Sequence, residues 1–172
     1  MSRPSRTHIA RAHLLAAVAA AALAVAPFWA KGQPAASDKL PRFASLRSGD
    51  VNLRVGPGES YPIEWVYKRK DMPVQIIEEF ENWRRIQDWQ GSKGWVLDRM
   101  LTSKREVIVN GAVRPLYGQP DPASPIVARA EPGVIAGLRE CRGRWCRIDA
   151  GDYSGWVQRS EIWGVDPDET VQ

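Results

Sequence analysis

The side chains able to do chemistry are few and unevenly placed. Both histidines, His8 and His13, fall at the very start of the chain, so the rest of it excludes Ser-His-Asp and Cys-His catalysis and any histidine-ligated metal. Glu78, Glu79 and Glu81 are the carboxylate type a glycosidase uses as acid and nucleophile. They crowd one hairpin end, though, and a cleft between two separated carboxylates needs more scaffold than that. They read as a solvated turn, and no catalytic residue is assigned. Asp166, Asp168 and Glu169 sit in a flexible acidic tail without the ordered loop of a calcium site, so no metal and no other cofactor is assigned. Gly56-Pro57-Gly58 precedes no helix and is not a phosphate loop. What remains is a set of rings and thiols: Trp65, Trp83, Trp89, Trp95, Trp145, Trp156, Trp163, and the pair Cys141 and Cys146.

The cysteines bracket Arg142-Gly143-Arg144-Trp145. With Gly143-Arg144 as a two-residue turn, they fall opposite each other in a non-hydrogen-bonded pair, where antiparallel strands approach most closely. A disulfide is expected there in an oxidising compartment. A redox-active pair is disfavoured, since the spacing is not CxxC and no helix N-terminus lowers a thiol pKa.

The compartment is read from the leader. Residues 1–32 contain no Asp or Glu; residues 1–13 are polar and basic, and residues 14–26 are an unbroken apolar run ended by Pro27. This is the pattern of a secretory signal, and the run is short for a membrane span. Cleavage is expected after Gly32 or Ala36, with an uncleaved anchor as the alternative. The folded part is expected in the periplasm or secreted, with no stable membrane span after cleavage. Lys and Arg total 24 against 20 Asp and Glu. Arg3, Arg6, Arg11 and Lys31 belong to the leader, so the remainder is neutral. The basic isoelectric point is therefore no evidence for a nucleic-acid partner.

The elements that must position these residues come in two copies. Trp83-Arg84-Arg85-Ile86 matches Trp145-Cys146-Arg147-Ile148, Gly94-Trp95-Val96 matches Gly155-Trp156-Val157, and Tyr61-Pro62-Ile63 matches Ser124-Pro125-Ile126. A period of about 60 residues suits a small β-barrel and is too long for a solenoid. Strand formers dominate residues 63–68, 74–80 and 83–88, and no segment keeps a 3.6-residue apolar period. Glu81-Asn82 reads as a hairpin turn with Asn82 left-handed. Asn110-Gly111 reads as a second hairpin joining residues 106–109 to 112–113. Trp95 and Trp156 enter core strands and read as buried barrel rings. Trp83 and Trp145 alternate with Ile86 and Ile148, which puts them on the outer face, either packed across the repeat interface or touching a ligand. Trp89 sits in a polar turn, and Trp163 is placed to anchor the tail.

Asn52-Leu53-Arg54-Val55-Gly56-Pro57-Gly58, followed by the W-x-R-I and G-W-V segments, resembles the bacterial SH3-like (SH3b) domain family. The resemblance covers residues 46–101 well and 113–163 more weakly, where Arg114-Pro115-Leu116-Tyr117-Gly118 replaces the opening motif. It implies an all-β chain of two tandem SH3-like barrels after an N-terminal signal peptide. The layout is signal peptide 1–32, linker 33–41, SH3b domain 42–105, divergent SH3-like domain 106–165 and acidic tail 166–172. It also implies a non-enzymatic module recognising peptidoglycan peptide or another envelope component through an aromatic-lined groove. The residues expected to carry that binding are Arg54, Tyr61, Trp65, Trp83 and Trp89, all in the first copy. The competing expectation is an accessory subunit that docks an envelope enzyme, with no nucleic-acid partner in either case.

Overall fold

The computed structural model describes residues 39–172; the expected signal segment, its two expected cleavage sites and most of the expected linker lie outside the described residues. The first sheet joins β1 (Arg42–Leu46), β2 (Val51–Arg54), β3 (Ile63–Tyr67), β4 (Pro73–Phe80), β5 (Trp83–Gln87), β6 (Lys93–Leu97) and β7 (Leu101–Thr102), in the order β3-β2-β6-β5-β4-β1-β7. The second joins β8 (Glu106–Val109), β9 (Arg114–Tyr117), β10 (Ile126–Ala130), β11 (Ile135–Arg142), β12 (Trp145–Ala150), β13 (Tyr153–Gln158) and β14 (Ile162–Trp163). Its order, β10-β9-β13-β12-β11-β8-β14, is the first order advanced by seven. Single 3-10 turns, Asp98–Met100 and Arg159–Glu161, stand at matching places before β7 and β14. The described chain is all-β, built from two equivalent units.

Each sheet curls around its own core because alternate side chains point inward. Val51, Leu53, Val74, Ile76, Ile86 and Val96 fill the first core, and Val107, Leu116, Leu138, Ile148 and Val157 fill the second. Each such buried aliphatic contributes about 1.5–3 kcal/mol relative to exposure. Both units carry a bulge at the same place, between Ile76 and Glu78 in β4 and between Leu138 and Glu140 in β11. The extra residue shifts the inward phase, so Cys141 rather than Glu140 faces the core. Cys141 and Cys146 are register partners and form a disulfide. The Cys141 N–H turns away from Cys146 and donates to the Val171 carbonyl at 3.0 Å, as a non-hydrogen-bonded pair requires.

Three local expectations are corrected. Asn110-Gly111 does not close a hairpin: β8 is flanked by β11 and β14, so neither edge is free for β9. The Asn110 N–H goes to Glu161, Ala112 closes a tight turn back to Asn110, and β9 crosses to pair with β10 and β13. In the Glu81-Asn82 turn it is Glu81 that takes the left-handed conformation, with φ 47°. The tail is not flexible but docked. Glu169 pairs with Arg105, the Arg159 guanidinium donates to the Glu169 carbonyl at 2.9 Å, and Val171 bridges to Cys141.

The two barrels share a packed interface. Phe43 of β1 meets Trp163 of β14 edge to face at 5.0 Å, and the Arg105 guanidinium lies 5.8 Å from the Phe43 ring centroid. Trp163 thus pins one barrel to the other. Ile135 packs against the first core, and Arg69 donates to the Gly133 carbonyl at 2.9 Å. Gly164 threads this junction at φ 121°, where a Cβ would stand 2.6 Å from the Glu106 carbonyl oxygen.

Candidate functional site

The opening motif of the first copy folds onto itself. Arg54 ends β2, and its Nη1 donates to the Tyr61 carbonyl at 2.7 Å, closing the loop between β2 and β3. The Tyr61 ring lies over Gly56 and Gly58, so close that a Cβ on Gly56 would sit 2.7 Å from Tyr61 Cγ. The two glycines exist in this loop to let that ring down. Tyr61 nevertheless keeps 45% of its surface exposed, and Val55 and Ile63 beside it are also open to solvent. Asp50 pairs with Lys68, so Arg54 serves the loop rather than Asp50.

Edge strand β3 presents Trp65 at 61% exposure. Trp65 opposes Leu53 and therefore leans from the core side of the sheet, on its edge strand. Two residues further on, Tyr67 enters the core and its hydroxyl donates to Asp88 Oδ2 at 3.0 Å. Asp88 Oδ1 accepts the N–H groups of Gln90 (3.0 Å) and Ser92 (2.8 Å), which shapes the turn between β5 and β6. Trp89 is carried on that turn, 36% exposed. Burial first, then the charge and hydrogen bond of Asp88, push the Tyr67 phenol well above its ordinary value, so it stays a donor throughout the physiological range. The residues Tyr67 and Asp88 were not among those expected from sequence.

Trp83 is a correction. Alternation puts it on the outer face, opposite Ile86, but it is only 5% exposed. Its register partners Phe80 and Leu97 flank it across the sheet, and directly opposed side chains stand close enough to cover a ring. Phe80 takes the exposed position that was expected of Trp83. Trp145 is likewise buried, edge to face with Tyr117 at 5.6 Å. Trp95 and Trp156 are buried too, but outside the barrel cores, which take their neighbours Val96 and Val157 instead. Each stands in one row of register partners across the outer face: Ile63-Arg54-Trp95-Arg85-Glu78 in the first barrel, Ile126-Tyr117-Trp156-Arg147-Glu140 in the second. In the second row the Arg142 guanidinium covers Trp156 at 5.4 Å.

Of the five residues expected to bind, Tyr61, Trp65 and Trp89 are exposed, Arg54 braces the loop under Tyr61, and Trp83 is buried. The charged cleft between the barrels is not a comparable surface. Its Lys104 pairs with Asp71 and Glu106, Arg139 with Asp149, and Arg105 with Glu169. Burial raises the Glu169 carboxyl, but the Arg105 guanidinium overcomes this and holds it below the ordinary range. Among the described residues, no group of three or more metal-ligating side chains comes together.

The sequence profile described as bacterial SH3 domain matches residues 47–102 and again residues 111–164. The chain belongs to the bacterial SH3 domain family. Among curated proteins, a putative N-acetylmuramoyl-L-alanine amidase, YrvJ, of Bacillus subtilis (strain 168) is 25% identical over 131 residues. That match takes in 69% of this chain and 25% of the relative, so the chain spans about a quarter of the relative's length. Among solved structures, NlpC2 from Trichomonas vaginalis is similar with a TM-score of 0.33 and 13% identity, covering 73% of this chain and 50% of that one. An NlpC/P60 family protein from Bacillus cereus gives 0.32 and 12%, covering 70% and 55%. The two segments matched by the family profile take in most of the described chain.

Proposed function

We propose that this chain is an exported, non-enzymatic module that recognises peptidoglycan peptide through the first SH3 barrel. The observation carrying the reading is an asymmetry between two barrels of one topology. Tyr61, Trp65 and Trp89 are exposed in the first, whereas the second holds Ser124 and Ala128 at the positions of Tyr61 and Trp65, and its β12–β13 turn, one residue shorter, carries one exposed ring, Tyr153. Large exposed rings are unfavourable to keep in water without a ligand or partner to cover them. Membership of the bacterial SH3 family, and a relative named as a putative N-acetylmuramoyl-L-alanine amidase, support a wall-related role. Absence of histidine beyond residue 13 supports binding rather than hydrolysis.

Co-sedimentation of the chain with purified sacculi at two salt concentrations tests this. The neutral charge balance of residues 33–172 and the aromatic surface make binding insensitive to salt. Trp65→Ala should weaken binding by about tenfold or more while the unfolding midpoint stays within a few degrees, because the ring is exposed. No sedimentation of the unaltered chain, or loss of it at moderate salt, would defeat the proposal.

A further inference from the structure

We infer that the buried Tyr67–Asp88 hydrogen bond is a positioning device for the Trp65 and Trp89 surface of the first barrel. The inference rests on reading that surface as the ligand site. Asp88 is only 4% exposed and Tyr67 belongs to an otherwise apolar core. Burying a carboxylate is unfavourable unless its acceptors are filled, and here three donors fill them: the Tyr67 hydroxyl and the Gln90 and Ser92 amides.

The fold itself does not require the pair. Tyr67 opposes Val51 as Ala130 opposes Arg114, and Asp88 follows Gln87 as Ala150 follows Asp149. The second barrel therefore closes in the same strand order with two alanines in place of the tyrosine and the aspartate. What departs along with the pair is the two-tryptophan surface: Trp65 becomes Ala128, and the shorter β12–β13 turn carries no tryptophan, only the exposed Tyr153. The tyrosine, the aspartate and both tryptophans are thus features of the first copy alone.

The mechanics follow from the connections. β3 is an edge strand, with β2 its one sheet neighbour, so its placement depends on what its inward side chains grip. Trp65 and Tyr67 share a face of β3, and Asp88 both grips Tyr67 and organises the turn that bears Trp89. The bond thus ties the strand carrying one ring to the turn carrying the other and fixes their separation before a ligand arrives. Fixing two anchors in advance removes their ordering cost from binding and selects ligands of matching span.

Tyr67→Phe, Asp88→Ala and the double variant are compared in the full chain. The first readout is co-sedimentation with purified sacculi. The second is near-ultraviolet circular dichroism, with Trp65→Phe and Trp89→Phe chains assigning each ring's signal. Val74→Ala, a truncation in the same core, controls for lost stability. Tyr67→Phe should weaken binding about tenfold, and Asp88→Ala at least as much. Tyr67→Phe should add nothing in the Asp88→Ala background, and Val74→Ala should leave binding unchanged while folded. Unaltered binding in both single variants overturns the inference, as does an equal loss in Val74→Ala. Should the unaltered chain not bind sacculi, the ligand reading fails separately and the dichroism decides. Loss of the Trp65 or Trp89 signal in Tyr67→Phe then upholds the positioning role, and an unchanged signal overturns it.

Discussion

Gly56 shows how a single residue in this family's opening motif acts. Arg54 holds the Tyr61 carbonyl from one side while the Tyr61 ring rests where a Gly56 side chain would be. Gly56→Ala must therefore lift the ring or spread the loop, at a cost of about 1–3 kcal/mol. Urea unfolding of the variant measures this, and sacculus binding should fall with it because Tyr61 moves. A change below about 0.5 kcal/mol would place Gly56 among ordinary surface positions and remove the steric argument. The motif was legible in the sequence because its spacing is dictated locally. The fate of Trp83 was not, since alternation gives the face a ring occupies but not whether Phe80 and Leu97 close over it. The Tyr67–Asp88 bond was equally hidden: it joins residues 21 apart through the core, where no periodicity points.

At the scale of elements, the β11–β12 hairpin behaves as its turn chemistry dictates, with Gly143 left-handed at φ 54° and the cysteines in register. The disulfide closes a loop with a sequence separation of 5, and loop-closure entropy for so short a loop gives about 2 kcal/mol. Replacing both cysteines by alanine should lower unfolding stability by roughly that amount, or more where the core loses volume, without changing sacculus binding by the other barrel. A binding loss equal to that of Trp65→Ala would mean the second barrel takes part. The Asn110-Gly111 turn failed as a hairpin signal for a reason outside its own sequence: both edges of β8 were already taken. The docked tail adds a pH dependence. The Glu169 carboxyl is held low by Arg105 against the opposing effect of burial, so its stabilisation is present above the ordinary glutamate value and lost as pH falls through the lowered one. Asp166, raised by burial and then by the Glu169 charge, works in the opposite sense and offsets part of that loss. Hydrogen-exchange protection of the Cys141 amide, which donates to Val171, should drop between neutral pH and about pH 3, after correction for intrinsic rates. Glu169→Gln should show the low protection already at neutral pH. Equal protection in that variant would show that Val171, not the ion pair, holds the tail.

For the whole molecule the question is whether two barrels of one topology act as one. The sequence divides them cleanly, and nothing in either repeat announces an interface, because the residues that form it belong to different copies. Phe43 is matched by Glu106 in the other copy and Trp163 by Thr102, so neither ring of the aromatic pair recurs in the repeat. The interface nonetheless joins an aromatic pair, a guanidinium over Phe43, the Arg69–Gly133 bond and Ile135 seated on the first core. An aromatic pair of this geometry adds about 0.5–1.5 kcal/mol beyond its buried area, and the area term from two large rings is larger still. Unfolding one barrel would strip that stabilisation from the other, so the pair should melt in a single transition in which the calorimetric and van't Hoff enthalpies agree. Phe43→Ala removes the ring that Trp163 and Arg105 share, and should split the melt into two steps while each barrel keeps its own strands. The disulfide-bearing barrel should be the later of the two to unfold, and reduction should reverse or merge the order. Two separate transitions in the unaltered chain would mean the interface is too weak to couple the barrels. The first barrel's aromatic surface would then work without help from the second.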